Sequence, residues 1–383
     1  MTNRRTFLTA GLSGLTLAMA GARASFAQAP ANSGKFVFII LRGAMDGLAA
    51  VAPYADPDYR ALRGNLALAE PGSPDGCLPL TAGFGLHPNL QTLHGLWQER
   101  RMSFVHAAAS PYRERSHFDA QDMLEAGTAQ VTSGSTGWLN RALALLPASP
   151  DAEGVAIGRT IPLVLRGTGK ATSWAPPLAP ESDMDTLMRL GDLYAGDPML
   201  ATALAMAIET NQIADGAEAG MSGRNRVGAY ASLASAAARI LSAPGGPAAA
   251  VLSFEGWDTH ANQGATRGQL ATRLEALDQA VAALRTGLGP LWSQTTVVIA
   301  TEFGRTVRVN GTGGTDHGTG GAAFLLGGAV QGGYMMGDWP GLNRLHEDRD
   351  LIPANDVRTV FAAGLAHAWR LDQAVVMAEV FNA

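Results

Sequence analysis

Residues 295–330 read TTVVIATEFGRTVRVNGTGGTDHGTGGAAFLLGGAV. The stretch opens on an apolar run, Val297 to Ala300, and closes on a second one, Ala322 to Leu326. Between them lie Glu302, Arg305, a glycine-rich segment and the pair Asp316-His317. An uninterrupted apolar run flanked by turn residues predicts a strand buried on both faces, and such strands belong to sheets covered by helices on each side. Loops at the carboxyl ends of those strands are where binding and chemistry collect. An acid, an arginine and an Asp-His pair in that position therefore mark a candidate site.

The pattern recurs along the chain. GKFVFIILRGAMDGL predicts a strand over Lys35–Leu41, ending in a loop that carries Arg42 and Asp46. MSFVHAAAS predicts another, followed by Arg113, Arg115 and a helix in RSHFDAQDMLEAGT that stops at Gly127. IPLVLRG reads as a short strand, and AVLSFEGWDTHANQG as a strand ending in Asp258 and His260. HPNLQTLHGLWQERR has helical spacing. So does LATRLEALDQAVAALRTGL, where Leu270, Leu274, Leu277, Val281 and Leu284 share one face. Residues 182–243 are alanine-rich and helical in pattern, and a last helix is expected over Val357–Trp369. Strands alternating with helices predict a single α/β sandwich.

Composition narrows the function classes. The 383 residues are 47% hydrophobic and 16% charged, with a formal net charge of -5. That balance gives no basic footprint for nucleic acid. A single cysteine, Cys77, excludes an intramolecular disulfide and reads as a small buried residue. Residues 1–29 have a charged start, an apolar stretch and small residues at the end, and Arg4-Arg5 before Thr6-Phe7-Leu8 resembles a twin-arginine export signal. The expected organisation is a removable signal over 1–29 and one domain over 30–383. It implies a periplasmic or exported protein handled by the twin-arginine translocation machinery, with no stable transmembrane anchor after processing.

Four polar clusters follow predicted strands: Arg42 with Asp46, Arg113 to Asp122, Asp258 with His260, and Glu302 to His317. Strands ending at one sheet edge would bring them together, and carboxylate with imidazole suits Zn, Mn, Mg or Ca to differing degrees. On an extended segment the side chains of Asp258 and His260 project to the same face, so the pair can chelate. Each element also has a structural reading: a hydrogen-bonded turn for Asp316-His317, a salt bridge to Arg305 for Glu302. Ser116 stands at a helix start, where a serine is either an N-cap or a nucleophile beside amides that favour negative charge. His117 and Asp119 are its candidate proton carriers. His87, His94, His346 and His367 join no cluster, and His106 is intermediate.

SPYRERSHFDAQDMLEAGT, GWLNRAL, GWDTHANQ and the opening stretch together resemble an exported bacterial family known as domain of unknown function 1501, which is similar in architecture to the alkaline-phosphatase and sulfatase superfamily. The resemblance implies an α/β/α sandwich and a metal-supported nucleophile that attacks phosphorus or sulfur. It puts Ser116 in the nucleophile's place, with His117 beside it, Arg42 and Arg113 on the oxyanion, and Asp258, His260, Glu302 and His317 on one divalent metal ion. Two positions depart from the superfamily pattern: Phe303 stands where a metal histidine belongs, and Arg42 where a metal aspartate belongs, leaving Asp46 as the candidate replacement. The expected function is metal-dependent hydrolysis of a small-molecule, glycan or lipid ester of phosphate or sulfate. The alternative is a non-catalytic envelope binding or assembly protein that keeps the sandwich and at most one metal.

Overall fold

The strand Lys35–Arg42 (β1) buries both faces, and its alternation sets the position of everything else. Phe36, Phe38 and Ile40 enter one hydrophobic core, while Val37, Ile39 and Leu41 enter another on the opposite face of the sheet. A strand with two buried faces must lie mid-sheet under two helical layers. The structure, a computed structural model, describes residues 34–81, 83–130, 136–147, 152–176, 199–202 and 226–381. The leader-like segment 1–29 and most of the alanine-rich stretch 182–225 lie outside the described residues.

In chain order the strands are β1, β2 (Val51–Ala52), β3 (Leu78–Pro79), β4 (Gly85–Leu86), β5 (Met102–Ala109), β6 (Gly154–Ile157), β7 (Ala171–Trp174), β8 (Ala249–Glu255), β9 (Thr295–Ala300), β10 (Gly321–Leu326), β11 (Met335–Met336) and β12 (Asn355–Asp356). The helices used below are α1 (Gly47–Ala50), α2 (Tyr59–Arg63), α3 (Gln91–Gln98), α4 (His117–Ala126), α5 (Trp138–Leu143), α6 (Arg226–Ser242), α7 (Gln269–Leu288), α8 (Val357–Trp369) and α9 (Gln373–Val380). The main sheet runs β11-β5-β10-β9-β1-β8-β6-β7, with β12 also on β5, and β2, β4 and β3 form a small separate sheet.

Helices α3, α6 and α7 cover one face, and α5, α8 and α9 the other. The α/β/α sandwich is the observed fold. On α7 the predicted stripe of Leu270, Leu274, Leu277, Val281 and Leu284 is fully buried. Each such side chain is worth about 1.5–3 kcal/mol by burial alone. On the opposite face Trp138 stacks on Phe361 with ring centroids 4.9 Å apart, and meets Phe36 edge-on. One expected element differs. Leu163–Leu165 within IPLVLRG is a 3₁₀ turn, because Val164 and Leu165 pack into the core beside α5 and the Val164 amide donates to Glu125 rather than to a neighbouring strand.

Pairing direction places the site. β1 runs parallel to β8 and β9, β8 parallel to β6, and among the described strands of the main sheet only β10 is reversed, antiparallel to both β5 and β9. The carboxyl ends of β1, β5, β8 and β9 therefore share one edge, and β10 starts there. The 301–320 segment is a long hairpin connection whose stem is tied by backbone bonds from Gly304 to Thr319, Thr306 to Asp316 and Gly318 to Gly304. Its glycines serve this chain-on-chain packing. A Cβ on Gly318 would stand 2.5 Å from the Arg305 backbone, and one on Gly314 2.3 Å from the His260 carbonyl. Gly313, at φ +72, makes the return.

Candidate metal centre at the carboxyl edge of the sheet

Two loops and one helix start meet at this edge. His117 is the first residue of α4, Asp258 and His260 follow β8, and His317 ends the hairpin before β10. Trp257, fully buried, anchors the β8 loop through its amide, which donates to the Arg42 carbonyl. The hairpin tip clasps the same loop: Asn310 and Thr312 donate to the His260 carbonyl, and the Asn262 and Gln263 amides donate to Thr312 and Gly313.

The imidazole Nε2 atoms point at one another. His317 Nε2 lies 3.0 Å from His117 Nε2 and 3.0 Å from His260 Nε2. Asp258 Oδ1 is 3.0 Å from His260 Nε2 and 3.2 Å from His317 Nε2, and its Oδ2 is 3.4 Å from His117 Nε2. His117, Asp258 and His317 each offer an atom to a common metal position, and His260 abuts two of them. Ligands about 2.0–2.1 Å from a tetrahedral zinc stand roughly 3.3 Å apart, which is the spacing seen here.

The outward nitrogens explain why these atoms converge. His117 Nδ1 lies 2.7 Å from a Glu302 carboxylate oxygen, His260 Nδ1 3.1 Å from Asp316, and His317 Nδ1 3.0 Å from the Arg115 carbonyl. An ionised carboxylate or a carbonyl can only accept, so each Nδ1 carries a proton, and an imidazole that holds no second proton turns its Nε2 lone pair inward. Lone pairs and a carboxylate facing one point repel unless a proton or a cation lies among them. Anchored imidazoles of this kind are the usual support of a metal-bound histidine. The residues fit a divalent metal.

Charge at the centre follows the same logic. Hydrogen bonds to Asp258 and Glu302 push His117 up to about 9 against its burial. A proton on His117 thus does in the free protein part of what a cation would do. Burial opposes ionisation of Asp258, but His117, His317 and Arg305 hold its carboxyl far below the usual range. Glu302 is likewise held low despite burial, by His117, its own backbone, Gln121 and the Gly43 amide.

The family model described as protein of unknown function (DUF1501) matches residues 95–381, which include all four converging side chains. The chain belongs to the DUF1501 family. No curated protein matches it. Among solved structures it is similar to the C-terminal periplasmic domain of EcEptC from Escherichia coli in complex with Zn, at 9% identity and a TM-score of 0.39, covering 77% of this chain and 73% of that one. It is also similar to BT1596, a 2-O GAG sulfatase, at 10% identity and a TM-score of 0.38, covering 79% of this chain and 66%, just under two thirds, of that one.

In this DUF1501 protein the other sequence candidates fall into place around the centre. Glu302 is fully buried behind His117. It accepts from the Gly43 amide, Gln121 and the Thr301 hydroxyl, so it orients the imidazole instead of facing the common point. Arg305 pairs with Asp258, not with Glu302. Asp46 lies in the core, bonded to the buried Arg63 and Gln263 and capping α1, apart from the converging groups. Arg42, the last residue of β1, pairs with Glu125 at 2.6 Å and with Gln121 at 2.9 Å, and lines a cavity of about 460 Å³ beside β6. Arg113 donates to the Ser110 and Tyr112 carbonyls of its own loop. Ser116 occupies the N-cap position of α4, yet its side chain makes no capping bond. It lies within hydrogen-bonding reach of Tyr112, whose hydroxyl donates to Asp119 at 3.1 Å.

Of the remaining histidines, His87 and His106 are buried against the backbone carbonyls of Ala265 and Val51, and burial takes His106 down to about 4. Asp316, Gln121 and Gln263 are supporting residues that the sequence reading did not assign. Only Asp316 carried a signal, its place beside His317. Cys77 is buried, and burial pushes its thiol up to about 11, which removes it as a nucleophile at neutral pH.

Proposed function

We propose that this protein is an exported, metal-dependent hydrolase of phosphate or sulfate esters, with His117, Asp258, His260 and His317 holding one divalent metal. The observation that carries the reading is the convergence of three Nε2 atoms and one carboxylate, each imidazole anchored from behind. Zn or Mn suits this nitrogen-rich set better than Mg or Ca, which prefer oxygen. Bound there, the metal supplies Lewis-acid polarisation of the ester oxygen.

The chain's own groups supply the rest. Ser116, left free by the absence of a capping bond, is the nucleophile. Its proton passes through Tyr112 towards the Asp119 carboxylate as Oγ bonds to phosphorus or sulfur and the ester bond breaks, and the departing alkoxide takes its proton from solvent water. The first amides of α4 face the charge that develops on the non-bridging oxygens. Water then cleaves the seryl ester. The side-chain exposures of His260 and Asp258, 46% and 37%, leave the centre open for a substrate on that side.

Metal analysis of protein exported through its own signal, followed by turnover of aryl phosphates and sulfates with and without chelator, tests the proposal. The expected result is one metal per chain and chelator-sensitive turnover that Ser116→Ala abolishes without loss of metal. A chain with bound metal and no turnover of any ester would establish the envelope-protein alternative. Lysines in place of Arg4 and Arg5 should hold the precursor in the cytoplasm, and unchanged periplasmic accumulation would refute export by this route.

A further inference from the structure

The charges around the centre are balanced. A divalent metal and Arg305 bring three positive charges, while Asp258, Glu302 and Asp316 bring three negative ones, and every one of these groups touches a converging side chain or is one. A singly charged ester entering such a site leaves one negative charge unmet and a doubly charged one leaves two, so the dianion needs a further cation far more. Among the described residues the nearby cations are already committed. Arg305 is buried on Asp258 and Thr315. Arg115 is held by Glu347 at 2.5 Å and Asp350 at 2.8 Å. Arg42 is held by Glu125, Arg113 by loop carbonyls within the field of Asp356, and Arg349 by the His317 carbonyl and Asp350. Neither lysine is at this edge: Lys35 and Lys170 both stand at the amino ends of their strands.

Uncommitted donors at the site are neutral. They are the first amides of α4, which Ser116 leaves uncapped, and neutral donors satisfy oxygen lone pairs without adding a full charge. We infer that the centre takes singly charged tetrahedral esters, namely sulfate monoesters or phosphate diesters, in preference to doubly charged phosphate monoesters. The inference rests on the metal-dependent reading above and narrows its substrate class.

Three probes of nearly equal size separate the cases: methyl sulfate and dimethyl phosphate, each singly charged, and methyl phosphate, doubly charged above its second ionisation near pH 6. Their binding to the Zn-loaded protein at pH 8 is measured by titration calorimetry. Chelator-treated protein serves as the blank. The singly charged probes should bind at least about tenfold more tightly than methyl phosphate. Turnover of 4-nitrophenyl sulfate against bis(4-nitrophenyl) phosphate then tells the sulfate source from the phosphodiester one. Methyl phosphate binding as tightly as the others, or more so, overturns this inference and leaves the metal-dependent reading standing. If none of the three binds the metal-loaded protein, both are overturned.

Discussion

Asp46 and Asp258 follow neighbouring strands of the same sheet and read alike in the sequence, an aspartate in a strand-end loop rich in small residues. Their surroundings are opposites. Asp46 is 1% exposed, and its two oxygens take up Arg63, Gln263 and the amides of Leu48 and Ala49. Asp258 is partly open and faces three imidazole nitrogens, with only Arg305 committed to it from behind. A carboxylate whose oxygens are saturated by donors and a buried guanidinium is part of the scaffold. One turned towards three converging imidazole nitrogens has the surroundings of a metal ligand. Position at the sheet edge is therefore necessary for the site but does not define it.

Exchanging the consequences of mutation at the two aspartates would break this comparison. The largest effect belongs to Asp46→Ala, which leaves Arg63 buried without its partner and should cost about 3–5 kcal/mol of stability. Denaturant titration measures that loss, and metal content per folded chain should be unchanged. His317→Ala should reverse the pattern. Metal affinity falls by more than about 100-fold, beyond the 10–100-fold typical of supporting residues, while the metal-free protein keeps its stability. Equilibrium dialysis with chelator-buffered zinc reads it.

Glu302→Gln sharpens the comparison, since it keeps the shape of the orienting group and removes its charge. We expect metal affinity to fall about 10–100-fold, with full occupancy regained at high metal. Retention of wild-type affinity would show that Glu302 plays no part in holding His117.

A smaller effect concerns pH. His117 is raised in the folded, metal-free protein to about 9 from 6.5. Its contribution to stability is therefore complete below pH 6.5 and is lost as pH rises through 9, on the order of 2 kcal/mol. Urea unfolding of metal-free protein at pH 6 and pH 9.5 checks the sign, and Glu302→Gln should shrink the difference. At pH 7 zinc binding should release close to one proton, visible as a buffer-dependent heat. Smallest of all, His346→Ala, at a histidine whose nearest charged partner is Glu347 at 3.7 Å, should change stability by less than about 0.5 kcal/mol and leave metal binding intact.

Much of the fold was legible because buried strands are continuous apolar runs. Those of β1, β5, β8, β9 and β10 stand out, and the leucine stripe of α7 gives its buried face outright. Leu163–Leu165 was misread because a three-residue apolar run looks the same whether its amides bond a neighbouring strand or, as here, the Glu125 side chain. The site was legible in outline: the clusters around His117, Asp258, His260 and His317 meet. Partner choice was not legible. Arg42 and Asp46 find Glu125 and Arg63 across 83 and 17 residues of chain. Glu302 lies one layer behind the converging side chains because Gly43 and Thr301 hold its carboxylate under the end of β1. Such choices depend on tertiary distances that no local pattern encodes.

The reversed strand β10 also sets a timetable. It lies between β5 and β9, and the hairpin that delivers His317 must close before β10 can pair with both. His117 leaves the ribosome long before its three companions, yet it has no shared pocket until the last third of the polypeptide is in place. On the proposed reading, a metal that needs all four side chains is not captured by the nascent chain: it is acquired by the finished molecule, and the compartment where folding is completed would decide which metal is on offer.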